Sequence, residues 1–259
     1  MGQLSICARV EFGGNRALGG SCLAERLSHH IVLTASERAA LDRLEDQKRH
    51  VRRGCVIIAE GDASRDLFIL QNGWLQSSVF LGNGGRQIMR INLPGDIVGL
   101  PALAFEEAPE TVTALTDVTL CPFDRERLAL LFTEHPRLMA LLLTLIMAER
   151  TMLADRLASI GRTPARARVA ALLCDIFARM RIVEPESQVI HVPLTQEEIG
   201  DATGLTAVHV NRMIRGLVEE GIIERSGNSL RLLDEARLAD EANFVNRATL
   251  STGWLPPPR

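Results

Sequence analysis

The sequence predicts an α+β fold: an antiparallel, jelly-roll-like β-roll, one long helix, and a winged helix-turn-helix. Three observations predict it. Between Arg49 and Pro122, short apolar runs alternate with glycine turns. From Pro136 to about Ile160, apolar residues repeat at helical spacing with no internal stop signal. From Pro193 the chain reads as helix, tight turn, helix and then hairpin.

The elements follow in chain order. Residues 1–20 carry Gly13-Gly14 and Gly19-Gly20 with no sustained pattern, and are expected to form a loose arm. Two short helices are expected at Ser21–His29 and Ala35–Leu44. The roll, within residues 21–134, then draws its strands from Val56–Ile58, Leu67–Leu70, Trp74–Leu81, Gln87–Leu93 and Thr111–Pro122. Asn72-Gly73, Gly82-Asn83-Gly84-Gly85 and Pro94-Gly95 turn them. A short helix is expected at Glu126–Phe132.

The long helix, residues 135–160, has two apolar stripes. One is Leu138, Leu141, Leu145, Ala148 and Met152; the other is Leu142, Ile146, Leu153, Leu157 and Ile160. Two stripes require two partners, the roll and a second copy of the helix. The first stripe is assigned to the dimer seam. Residues 161–236 form the winged helix-turn-helix, and residues 237–259 a C-terminal helix and tail.

Composition sets limits. The chain has 259 residues, 46% of them hydrophobic, enough for two modest cores. There is no apolar run long enough to cross a membrane and no signal pattern at the start, so a cytoplasmic protein with no membrane partner is expected. The net charge is −3, and from residue 161 on arginines and carboxylates nearly balance, so contact with nucleic acid must come from a local patch. Cysteines 7, 22, 55, 121 and 174 are widely spaced and odd in number, which argues for free thiols rather than a disulfide framework or a zinc site. The sequence contains no phosphate loop, metal spacing or nucleophile–base arrangement, so an enzyme is not expected and no cofactor is implied.

The segment Pro193–Arg215 carries the chemistry. Thr195 and Glu198 make a Thr-x-x-Glu capping box, Gly204 supplies a left-handed turn, and Thr206 caps a second helix. Val210, Ile214 and Leu217 face inward, leaving His209, Asn211, Arg212 and Arg215 outside. Gly221–Leu233 reads as a two-stranded wing. Arg162, Arg166 and Arg168 surround Thr163 (a cap) and Pro164 (in the first turn of a further helix), where arginines and free N–H groups favour phosphate. This is the layout of a module that reads double-stranded DNA. The competing reading is a ligand-binding module whose helical domain docks a protein.

The chain resembles the Crp/Fnr family of bacterial transcription regulators from about His29 to Asp234. The matching residues are Gly54, Glu60-Gly61-Asp62, Asn72-Gly73, Pro94-Gly95-Asp96 and Gly99, then Thr163–Arg168, Leu194–Gly200 and Val210-Asn211-Arg212. The resemblance implies a cyclic-nucleotide-binding-like sensory roll, a homodimer on a near-palindromic operator, and RNA polymerase as a further partner. It implies DNA contacts from Thr195, Gln196, Thr206, Val208, His209, Asn211, Arg212 and Arg215, with Arg162, Arg166 and Arg168 on phosphates. Thr206 would touch phosphate, His209 a phosphate or base edge, and Arg212 a guanine. Val208 stands where many members carry a base-reading Glu.

The effector pocket carried over comprises Gly99, Leu100, Pro101, Ala102 and Thr111. It departs from the cyclic-nucleotide binders. Leu100 replaces the ribose-binding Glu, and Glu106–Glu110 lacks the phosphate-binding Arg. The effector is therefore expected not to be cAMP in the usual mode, and is otherwise unidentified.

Overall fold

A computed structural model describes residues 20–63, 66–183, 189–227, 229–247 and 249–258. The expected arm lies outside the described residues, apart from Gly20. The elements are α1 (Cys22–Ser28), α2 (Ala35–Leu44), β1 (Arg49–Val51), β2 (Val56–Ile58), β3 (Leu67–Asn72), β4 (Leu75–Phe80), β5 (Arg86–Asn92), β6 (Ile97–Val98), β7 (Thr111–Ala114) and β8 (Val118–Phe123). They continue with α3 (Arg125–Glu134), α4 (Pro136–Arg162), α5 (Ala165–Val183), β9 (Val189–His191), α6 (Gln196–Thr203), α7 (Ala207–Glu219), β10 (Ile223–Ser226), β11 (Ser229–Leu232) and α8 (Glu235–Ala242).

The chain divides into two compact units. The first holds the residues up to Val79, Arg90–Ile146 and the stretch from Leu250 on; the second holds Phe80–Met89 and Met147–Thr249. In the first, the roll consists of two four-stranded sheets, ordered β1-β8-β3-β6 and β2-β7-β4-β5. Between them Phe68, Leu70, Leu75, Val98, Val112, Ala114, Val118 and Leu120 pack as one core. The stretch expected as a single strand, Thr111–Pro122, is broken at Leu115–Asp117 into β7 and β8, which join different sheets. Trp74 takes the turn instead of joining β4: its N–H donates to the Thr116 hydroxyl at 3.0 Å.

A second core lies under the helices. Leu23, Leu27, Leu41, Leu44, Leu67, Ile69, Phe123, Leu128 and Leu131 meet Leu138, Leu141 and Leu142 of α4 there. The Glu45 carboxylate accepts from the Ser21 hydroxyl and from the N–H groups of Cys22 and Leu23, satisfying free donors at the start of α1. Glu37 does two things. It closes the α2 capping box with Thr34, and it accepts from Arg137 of α4 at 2.9 Å, tying the two helices together.

Within the roll, Glu110 reaches Ser77 of β4, whose hydroxyl also accepts from the Asn92 amide at 3.3 Å. Burial holds the Glu110 carboxyl above the ordinary carboxylate range, against the Ser77 hydrogen bond and the nearby Arg90 charge, which both act the other way. The folded chain therefore holds this proton more tightly than the unfolded chain does. Ionised Glu110 lowers stability above its raised pKa, and that loss vanishes below the unfolded value. Glu110→Gln is expected to raise the melting temperature at pH 7. The gain should shrink as pH falls through the raised value and disappear below about pH 4. Thermal unfolding followed by circular dichroism from pH 4 to 8 measures it, and a gain that is constant with pH would contradict the assignment.

Candidate nucleic-acid interface

The second unit places the DNA-reading candidates on α6 and α7. Helix α6 starts on the expected box: the Thr195 hydroxyl accepts from Glu198 N–H at 3.2 Å, and the Glu198 carboxylate accepts from Thr195 N–H at 2.7 Å. It ends at Gly204, whose φ is 67°. Gly200 matters as much, and sequence reasoning missed it. A Cβ on Gly200 would lie 2.4 Å from the Leu205 carbonyl oxygen. That close approach allows Leu205 N–H to donate back to the Gly200 carbonyl at 3.1 Å, folding the turn within two residues. The signal was present, as a glycine four residues before the turn glycine, but glycine inside a helix usually marks only a weak position.

Helix α7 begins at its cap, Thr206, whose hydroxyl accepts from His209 N–H at 3.4 Å. Val210, Ile214 and Leu217 are buried, as expected. Opposite them, Val208, Asn211, Arg212 and Arg215 recur at i, i+3, i+4 and i+7 and are all exposed. His209 is exposed at the edge of this stripe. The Gln196 amide donates to Asn211 Oδ1 at 3.1 Å, linking the start of α6 to the reading face of α7. Arg215 pairs with Glu219 at 3.4 Å, both exposed, a contact that water competes with easily. The strands β10 and β11 pair antiparallel as the wing, and β9, which was not anticipated, joins as the third strand.

The upstream arginines separate. Arg162 is exposed, as a phosphate contact requires. Arg166 is a correction. Its guanidinium makes two hydrogen bonds to Glu220, at 2.6 and 2.8 Å, and one to Glu241 at 3.0 Å, bracing α5 against the end of α7 and α8. Arg168 is half-buried and donates to the Thr163 carbonyl at 3.0 Å, with its Nη1 beneath Gly204. Arg168 supports the turn and Arg166 the far end of α7, rather than presenting charge to a ligand. Two details of the junction also differ. The Thr163 hydroxyl donates to Ser159 O at the end of α4, and Pro164 precedes the first residue of α5, its carbonyl accepting from Arg168 N–H.

Two further arginines hold α6 from behind, and nothing in their spacing announced them. Arg156 of α4 is largely buried and donates to the carbonyls of Ala202 (2.7 Å) and Met89 (2.9 Å). Arg86 pairs with Asp201 at 2.7 Å.

In the roll, Gly99 adopts φ 88°, and a Cβ there would lie 2.9 Å from the Asp66 carbonyl oxygen. Leu100–Leu103 form a 3-10 turn after it, and the Arg125 guanidinium donates to the Ala102 carbonyl. Ala102 and Thr111 are buried, and the Thr111 hydroxyl accepts from Glu60 N–H at 3.1 Å. The cleft at this end, about 470 Å³, is lined by Glu60, Gly61, Phe105, Glu106, Glu107, Ala108 and Pro109. The five expected pocket residues are therefore near neighbours of this cleft in sequence but do not line it. Its walls carry three carboxylates.

The thiols also differ from expectation. Cys55 is disulfide-bonded, so the cysteines are not all free. Cys22, Cys121 and Cys174 are free. Burial pushes Cys22 up to about 11 and the other two up to about 12, with Glu45, Glu45 and Glu235 respectively adding to it. Each is a protonated, unreactive thiol at neutral pH. No group of His, Cys, Asp and Glu able to hold a metal occurs among the described residues. No helix among them is long and apolar enough to cross a membrane.

The profile of the cyclic nucleotide-binding domain matches residues 48–135, and that of the Crp-like helix-turn-helix domain matches residues 167–241. The transcriptional activator protein FnrA of Stutzerimonas stutzeri is 26% identical over 86% of this chain and 88% of its own. The fumarate and nitrate reduction regulatory protein of Vibrio cholerae is 24% identical over 90% of this chain and 94% of its own. Among solved structures, TTHB099, a CRP-family transcriptional regulator of Thermus thermophilus, superposes with a TM-score of 0.61 at 25% identity. It covers 77% of this chain and 99% of that one. FixK2 of Bradyrhizobium japonicum shares the fold, with a TM-score of 0.68 at 24% identity over 77% and 98% of the two chains. The alternative of a protein-docking helical domain finds no support in these matches. A cyclic-nucleotide-binding-type roll followed by a helix-turn-helix with an exposed donor stripe, matched along most of its length by such regulators, makes this chain a DNA-binding transcription regulator that belongs to the Crp/Fnr family.

Proposed function

We propose that the protein acts as a cytoplasmic homodimer on a near-palindromic operator, with one α7 in the major groove of each half-site and RNA polymerase as the downstream partner. The observation that carries the reading is the stripe Val208, Asn211, Arg212, Arg215, exposed on a helix whose other face is buried. Arg212 is free to make two hydrogen bonds to guanine O6 and N7. Arg162, Arg215 and the Thr206 hydroxyl serve phosphates. In a mobility-shift titration, affinity should fall steeply with salt. Arg212→Ala should cost about 1–3 kcal/mol on a selected operator and little on random duplex, whereas Arg162→Ala should weaken both alike. Equal losses on both duplexes for Arg212→Ala would refute base reading by this residue.

The dimer seam moves from the stripe first assigned to it. Leu138 and Leu141 are fully buried in the core of their own chain, and Leu145 packs on that core, so they cannot meet a partner. Ala148 and Met152 are half-buried on the same side. The open seam consists of Met139, Leu143, Ile146, Arg150, Leu153 and Leu157, alternating four and three residues as a two-stranded coiled coil requires, whereas Ile160 is half-buried beside Gly204 of its own chain. Leu143, Leu153 and Leu157 are 43%, 42% and 73% exposed, which a lone chain gains nothing from. Ile146→Glu with Leu153→Glu should turn a dimer into a folded monomer in sedimentation and abolish operator binding. Leu138→Glu should instead unfold the roll. A wild type that sediments as a monomer at micromolar concentration would end the proposal.

The effector is not cAMP or cGMP in the family's usual mode. Leu100 offers no acceptor for a ribose; the loop with Glu106, Glu107 and the largely buried Glu110 contains no arginine, and Arg90, whose charge acts on Glu110, is paired with Asp96 at 3.2 Å. Leaving a buried phosphate without its cation costs about 3–5 kcal/mol. Calorimetry with millimolar cAMP and cGMP should show no binding, and a micromolar dissociation constant would overturn this.

A further inference from the structure

We infer that Val208 is a specificity-determining residue, and that it selects a thymine in each half-site by packing on the C5-methyl group. The inference rests on the DNA-reading assignment of α7. Val208 is 78% exposed, whereas Val210, Ile214 and Leu217 of the same helix are buried to 3% or less. A single exposed valine is ordinary; its position is what gives this one meaning. It is the second residue of α7, one turn before Asn211 and Arg212 and directly opposite the buried face. The N-terminal turn of a reading helix is the part that approaches base edges. The surrounding stripe is made of hydrogen-bond donors, and at its leading point stands an isopropyl group.

The major groove leaves such a group few partners. Guanine shows N7 and O6, adenine N7 and its N6 amino group, and cytosine its N4 amino group. A valine against any of these displaces water and returns no hydrogen bond. Thymine alone presents a methyl. A β-branched side chain in a helix also has one strongly preferred rotamer, so Val208 loses little freedom on contact. Its neighbours hold the register: Gln196 fixes Asn211 at 3.1 Å, and Arg212 lies one turn on, facing the guanine assigned above. The half-site read by this chain therefore contains a thymine beside that guanine.

The test uses the full chain. Duplexes are first selected from a random pool. The thymine next to the conserved guanine is then replaced by deoxyuridine, which removes the methyl and nothing else. Wild-type affinity should fall about fourfold per half-site, as loss of one buried methyl-sized group predicts. Val208→Ser should bind thymine and uracil duplexes equally. Val208→Glu should redirect selection at that position to cytosine, whose amino group donates to a carboxylate. Both substitutions are exposed and suit the first turn of a helix, so the fold is retained. A selected site with no fixed thymine, or equal wild-type affinity for thymine and uracil, overturns the inference and leaves DNA reading intact. A pool that yields no enriched duplex overturns the DNA-reading assignment, and this inference with it.

Discussion

The approach of the Gly200 backbone to the Leu205 carbonyl is the constraint on which the reading surface depends. No side chain fits in that gap, and Gly204 turns the chain in a conformation that residues with a Cβ rarely adopt. Because the link is only three residues long, α7 has little freedom to lean away from α6, and the stripe from Val208 to Arg215 is held as one face. The buried side chains of α7 then have a fixed place to pack, and Arg168 supports the turn from below. The exposed chemistry of this unit follows from a contact in which no side chain takes part.

Helix α4 serves two environments along one length. Its first turns are sealed into the core beneath α1, α2 and α3, and the ion pair between Arg137 and Glu37 fixes its start. Beyond Leu142 the residues Leu143, Ile146, Met147, Leu153 and Leu157 are exposed, whereas Leu145, Ala148, Met152 and Ile160 are half-buried, and Arg156 reaches the backbone of α6. Burial of its guanidinium acts against the charged form, and the Asp175 charge acts the other way. A helix that is core at one end and open at the other is poised between folding and association.

Much of this was legible in the chain. Capping residues, glycine turns and helical periodicity are local, so the Thr195–Glu198 capping box, the short N-terminal helices and the wing could be read directly. What could not be read depends on which surfaces meet. Both stripes of α4 are apolar, and periodicity cannot say which one the roll takes; Leu138 and Leu141 went to the core and Leu153 and Leu157 did not. Arg166 looked like a phosphate ligand because its partners, Glu220 and Glu241, lie 54 and 75 residues away. The strands β1, β6 and β9 are two or three residues long, too short for alternation to register. The disulfide at Cys55 left no trace in the cysteine spacing.

Arg150 is the one charged residue in the seven-residue rhythm of the open α4 face. In the proposed dimer it faces its own copy, where the long stem covers apolar surface and the head reaches water. Were one helix to slip by a heptad, each guanidinium would instead oppose Leu143 or Leu157, and two apolar layers would be lost. Such a slip displaces one protomer by about 10 Å along the helix axis, the length of roughly three base pairs. In the proposed dimer the register of the apolar layers would convert the spacing of two half-sites on DNA into a matching offset between two protein chains, and a misaligned pair would lose contact surface before it met an operator.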